Sequence, residues 1–143
     1  MSGPCLLICF VLAFGVQAVF AQTEDQELFA TAQRAYDDGF HDVAIRYLEQ
    51  YTDKFPQGSK IDQSKFLLGQ SYYFKNQFAK ALEMFKSLNP MAEGKDALLF
   101  WTAETYLKLE DFPSARERYQ DLISHDPGSA YIPQALYSLG WSY

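Results

Sequence analysis

The sequence predicts an all-α fold built from stacked antiparallel helix pairs. Three observations carry this. A pattern of small and aromatic residues recurs along the chain at a spacing of 34 residues. Inside each recurrence the apolar residues follow a helical period. Between recurrences, proline and glycine break the pattern, the first by lacking an N–H and fixing φ, the second by its backbone freedom. The 143 residues, 48% apolar and 21% charged, suffice for one modest domain and exclude a disordered chain. Aromatics at 17% demand a place to pack. A net charge of -6 argues against nucleic acid, which needs clustered Lys and Arg.

Residues 1–21 differ from the rest. They carry no charged side chain, and Cys5 to Phe14 is an apolar run. Val19 and Ala21 put small residues where a signal peptidase reads them, so residues 1–21 read as a signal peptide cleaved after Ala21. This places the mature chain, residues 22–143, in the periplasm or outside the cell, with no integral membrane span. The alternative is an uncleaved anchor, although Gly15 and Gln17 interrupt a stretch already marginal for crossing a bilayer. Both cysteines, Cys5 and Cys9, fall in this segment, so the mature chain has neither a disulfide nor a thiol nucleophile. Leu6-Leu7-Ile8-Cys9 resembles a lipid-attachment motif weakly, with Ile8 where a small residue belongs.

The repeat is found by aligning the chain with itself. The first unit (about 25–58) runs Ala32-x-x-Ala35, Gly39, Ala44, Leu48, Pro56. The second (about 62–95) runs Leu68-Gly69-x-x-Tyr72, Asn76-x-Phe78-x-x-Ala81, Phe85. The third (about 96–129) runs Thr102-Ala103-x-x-Tyr106, Glu110-x-Phe112-x-x-Ala115, Tyr119. A partial fourth, from about residue 133, ends on Leu139-Gly140-x-x-Tyr143. Ala81 and Ala115 are 34 residues apart, whereas Ala44 and Ala81 are 37 apart. The three additional residues fall at Ser59-Lys60-Ile61 and again at Ala130-Tyr131-Ile132.

The apolar period predicts helices at 24–38, 41–54, 62–75, 78–89, 95–109 and 112–124, and one opening near 133. Asp111-Phe112-Pro113 is a start signal: an N-capping acid, then proline where no N–H is needed. Short turns make neighbours antiparallel. Ala32, Gly69, Ala103 and Gly140 mark one point on each first helix, and Ala44, Ala81 and Ala115 one on each second helix. Helix axes approach closely only where side chains are small, with Tyr72, Phe85, Tyr106 and Tyr119 filling the groove between them. The array stops with Leu136, Leu139, Trp141 and Tyr143 prepared for a helix not yet reached. The reading therefore expects sequence beyond Tyr143, and self-association of the chain through this open repeat.

The pattern resembles the tetratricopeptide repeat (TPR) family over almost everything after residue 24, most closely in the second and third units. In the first, Thr31 and Ala35 replace the usual leucine and tyrosine. The stretch 127–143 is similar to the repeat junction of bacterial envelope TPR proteins, of the kind found in outer-membrane β-barrel assembly and in the Tol–Pal system. The resemblance implies a right-handed solenoid, a periplasmic setting, and a scaffold binding envelope proteins or peptide segments without cofactor, metal or catalysis.

It also implies which residues line the concave face. In the first unit these are Gln26, Phe29, Gln33 and Tyr36; in the second, Gln63, Phe66, Gln70 and Tyr73. In the third they are Ala97, Phe100, Glu104 and Leu107; in the fourth, Gln134, Tyr137 and Trp141. One position is aromatic in every unit: Phe29, Phe66, Phe100, Tyr137. Rings supply apolar area with few rotors to freeze, and amides pair with peptide groups, so the row suits an extended peptide. The row also suits packing of first helix against first helix. The amides argue more directly for a surface, because unpaired glutamine is seldom buried. Exposed, coplanar rings would instead suit a glycan, as in an accessory domain of a wall-acting protein.

No catalytic constellation is visible. His41 and His125 lie in different units without metal or triad spacing. Glu24-Asp25 and Asp37-Asp38 read as solvated helix ends. The eight glycines form no phosphate-cradling loop.

Overall fold

The computed structural model describes residues 24–89 and 94–143, and the signal-peptide reading and both cysteines lie outside them. Seven helices and no strand occur among the described residues. They are α1 (24–37), α2 (His41–Lys54), α3 (Ile61–Phe74), α4 (Phe78–Lys86), α5 (Lys95–Lys108), α6 (Phe112–His125) and α7 (Ile132–Trp141). Consecutive helices from α2 to α7 pack on one another, and first helix α3 also touches first helix α5. This is an all-α tetratricopeptide solenoid, as the repeat predicts. The other boundaries fall within one residue of expectation, but α4 ends at Lys86 rather than 89. There the Ser87 hydroxyl bonds back to the Met84 carbonyl at 2.7 Å, and the Ser87 N–H is shared between Glu83 and Met84, a tightening typical of a helix end.

The three turns inside the pairs share one geometry. Gly39, Asn76 and Glu110 all adopt positive φ, at 77°, 58° and 60°. After each, an N–H reaches back to the helix: Phe40 to Ala35 and Gln77 to Tyr72 at 2.8 Å, and Asp111 to Tyr106 at 3.0 Å. This is the Schellman closure, which satisfies the last carbonyls of one helix while turning the chain into the next. Asp111 then caps α6 by accepting from the Ser114 N–H at 3.3 Å, with Pro113 in the first turn, as its sequence requires.

The small residues sit where helices meet. Ala32, Ala44, Ala81, Ala103 and Ala115 are fully buried. A Cβ placed on Gly69 would lie 2.6 Å from Cε1 of Phe85, so the α3–α4 approach needs a bare backbone there. Two clusters form the core, one from α1–α4 and one from α5–α7. Trp101 packs against both, its ring 5.3 Å from Tyr73, 5.5 Å from Phe74 and 5.7 Å from Phe100.

Candidate partner-binding face

The aromatic row lies on the first helices, but its members meet different surroundings. Phe29 is half-buried, edge-on to Tyr51 at 5.8 Å. Phe66 is half-buried, tilted against Phe85 at 5.8 Å. Phe100 is 2% exposed and stacked on Tyr131 at 4.7 Å. Tyr137 is 67% exposed, with only Trp141 beside it at 6.2 Å.

The residue before each next first helix accounts for these differences. Lys60, Gly94 and Tyr131 are the N-cap positions of α3, α5 and α7. The Lys60 ammonium sits 5.8 Å over the Phe29 ring. The Tyr131 ring stacks on Phe100. Gly94 has no side chain to lay over Phe66, and a cavity of about 300 Å³ lies there. It is lined by Phe66, Gln63, Asp62 and Leu88 on one side and by Gly94, Lys95, Ala97 and Leu98 on the other. The walls combine an apolar floor with two amides, Gln63 and Asn89, one carboxylate and one ammonium, which suits a peptide segment. Comparing the residues before each first helix would have found this place in the sequence; comparing the helices alone does not.

Three expected lining residues are buried instead, and for them the expectation is corrected. Phe100 lies under Tyr131. Gln70 is 6% exposed, so the rule that glutamine marks surface fails there. Glu104 is 9% exposed, and its Oε1 accepts the hydroxyls of Tyr119 and Ser138, each at 2.7 Å. The Tyr73 hydroxyl also faces this carboxylate. Burial, then Glu104, push its pKa up to about 12. Glu104 thus ties α3, α5, α6 and α7 together. Of the remaining amides, Gln26, Gln63 and Gln134 are exposed, while Gln33 donates to Asp37 of its own helix at 2.9 Å. Tyr36 is half-buried and edge-on to His41 at 5.7 Å; Ala97 and Leu107 are half-buried, and Trp141 is exposed. Free coplanar rings, which sugar stacking needs, do not line up here, because Phe100 is covered and Phe66 leans into Phe85.

His41 stacks on Phe74 at 4.6 Å, with Lys75 and Asp42 paired beside it at 2.8 Å. Burial, then Lys75, lower its pKa, partly opposed by Asp42. His125 contacts the Asp121 carbonyl at 2.9 Å in the last turn of α6. Neither histidine has an acid or nucleophile arranged for catalysis around it. Among the described residues no cluster of three His, Cys, Asp or Glu could hold a metal ion. No described helix is long and apolar enough to cross a membrane.

Helix pairs closed by repeated Schellman turns, with alanines at each crossing, define a tetratricopeptide scaffold. Residues 96–129 match a tetratricopeptide repeat. Residues 21–101, more than half of the chain, match the YfiO family of outer membrane lipoproteins, and the chain belongs to that family. No curated protein matches the chain.

Proposed function

We propose that this chain is an exported scaffold of the cell envelope that holds a segment of a partner protein along its first helices. The observation that carries the reading is the cavity beside the Phe66 ring, where Gly94 stands at the covering position. In the neighbouring units a cation or a ring from the chain itself lies over the equivalent phenylalanine. At the equivalent position before α5 stands Gly94, which has no side chain to lay over Phe66, and a partner side chain takes that place. Gln63 stands exposed beside it to pair with the partner's backbone, and Gln26, Phe29, Tyr36 and Tyr73 extend the same face. The apolar leader in the sequence and the outer membrane lipoprotein family support a periplasmic setting. No reaction is assigned to it.

The test is photo-crosslinking in envelope extract from a reactive amino acid at position 63. The reading expects a discrete protein adduct that disappears with Ala97→Trp, which fills the cavity, while circular dichroism stays unchanged. Adducts identical in the wild type and in Ala97→Trp would overturn it.

A further inference from the structure

The seams between successive helix pairs carry equivalent tyrosines with different neighbours. Tyr72 of α3 and Tyr106 of α5 are 34 residues apart, and Glu49 of α2 and Lys86 of α4 are 37 apart, the spacing of Ala44 and Ala81. In the seam of α2 with α3 the chain supplies its own acid: the Tyr72 hydroxyl donates to the Glu49 carboxylate. In the seam of α4 with α5 a cation replaces that acid. The Lys86 ammonium lies 5.4 Å from the centre of the Tyr106 ring, and the Tyr106 hydroxyl has no hydrogen bond among the described residues. Beside it a cavity of about 200 Å³ opens between α4, α5 and α6. Phe85, Leu98 and Leu99 give it an apolar floor. Lys86, Lys95 and Arg118 border it, and no described carboxylate does. Arg118 is held by Asp121 at 3.3 Å and Glu117 at 3.4 Å, whereas Lys86 and Lys95 form no ion pair among the described residues. In a chain of net charge -6, these two ammonium groups stand without an acid.

We propose that this seam docks an acidic segment of a partner protein, whose carboxylate takes at Tyr106, Lys86 and Lys95 the place that Glu49 holds at Tyr72. An apolar side chain next to that carboxylate enters the cavity. A carboxylate accepts from the phenol hydroxyl and from both ammonium groups, and such charge-assisted bonds are the stronger kind. The apolar floor adds burial and fixes the register of the segment. An anionic bilayer fits this place less well than a single segment, because Glu117 and Asp121 stand beside Arg118 and would face its headgroups. Leu88, Lys95 and Leu98 wall this cavity and the Phe66 cavity alike, but Lys86 and Tyr106 belong to this one alone and Ala97 to the other. Either site can therefore fail without the other.

The probe is a fluorescein-labelled peptide alternating Glu and Leu, titrated with the chain and followed by fluorescence anisotropy. Saturable binding is expected. Lys86→Glu should weaken it about tenfold or more, and Tyr106→Phe about threefold. Lys86→Glu gives Tyr106 an acid from the chain itself, as Glu49 does for Tyr72, so its unfolding midpoint should stay at the wild-type value. Arg46→Glu on α2 changes the net charge equally but lies outside the seam, and it should leave binding unchanged. Ala97→Trp, which fills the Phe66 cavity, should leave it unchanged as well. No saturable binding at millimolar concentration, or equal losses with Lys86→Glu and Arg46→Glu, overturns the proposal. Inorganic phosphate or phosphatidylglycerol vesicles that displace the peptide from the wild type would also overturn it, by making a phosphate group the occupant.

Discussion

The Ser138 hydroxyl of α7 donates to Glu104 Oε1 of α5 at 2.7 Å, and Tyr119 of α6 donates to the same oxygen at the same distance. One buried carboxylate thus fixes three consecutive helices. Hydrogen bonds to a charged group contribute more than neutral ones, and a buried hydroxyl left without its acceptor costs further. Glu104→Ala should therefore destabilise the fold by about 2–3 kcal/mol. Ser138→Ala should cost about 1 kcal/mol. The double mutant should cost less than the two together, because the residues share one network. Urea unfolding of the four proteins measures this; strict additivity would mean that the pair does not interact.

The tyrosines predict an alkaline limit to stability. Tyr51 is pushed up to about 12, first by burial and then by a hydrogen bond to Asp25. Tyr73 reaches about 12 through burial and Glu104. Tyr72 and Tyr119 are raised further, by burial and then by Glu49 and Glu104 respectively. Above pH 10 the unfolded chain releases these protons while the folded chain keeps them. The contribution is complete below pH 10 and is lost as pH rises from 10 through about 12. The urea midpoint should fall steeply over that window. Tyr73→Phe should flatten the fall. A midpoint unchanged from pH 9 to pH 12 would contradict the burial of these hydroxyls.

The turn residues give a prediction of opposite sign. Glu110 holds the left-handed conformation that Gly39 adopts freely and that Asn76 tolerates. It gains nothing evident for that strain, since its side chain is exposed and makes no described hydrogen bond. Glu110→Gly should stabilise the chain by about 0.5–1 kcal/mol, the relief of strain exceeding the greater freedom of the unfolded chain. Thermal unfolding should show a raised midpoint, and a lowered one would show that the carboxylate matters.

The helices were legible because their period, their prolines and their small residues all depend on near neighbours in sequence. The aromatic row was legible as a row, but its exposure was not. Whether Phe29, Phe66 or Phe100 is covered depends on Lys60, Gly94 and Tyr131, each some thirty residues away in sequence. Gln70 and Glu104 are expected at the concave face by the family resemblance, Gln70 also because unpaired glutamine is seldom buried. Glu104 is buried because α6 and α7 bring hydroxyls to it, and a helical period read within α5 contains no sign of them.

The close seat of Phe85 on Gly69 separates two glycines that look alike in sequence. An added methyl on Gly69 would meet Phe85 at 2.6 Å, and Phe85, itself 2% exposed, has little room to retreat. An added methyl on Gly140 meets nothing within 4 Å. Alanine favours a helix over glycine by about 1 kcal/mol at either site. Gly140→Ala should therefore stabilise the chain, while Gly69→Ala should destabilise it because overpacking, at about 1–3 kcal/mol, exceeds that gain. Ala81→Trp, at the fully buried crossing on α4, should cost at least as much. Pairing Gly69→Ala with Phe85→Leu tests the cause. The smaller side chain removes the clash, so the second substitution should cost less in the Gly69→Ala background than alone. If both glycines respond alike in thermal unfolding, the α3–α4 approach is looser than the packing of Phe85 on Gly69 implies.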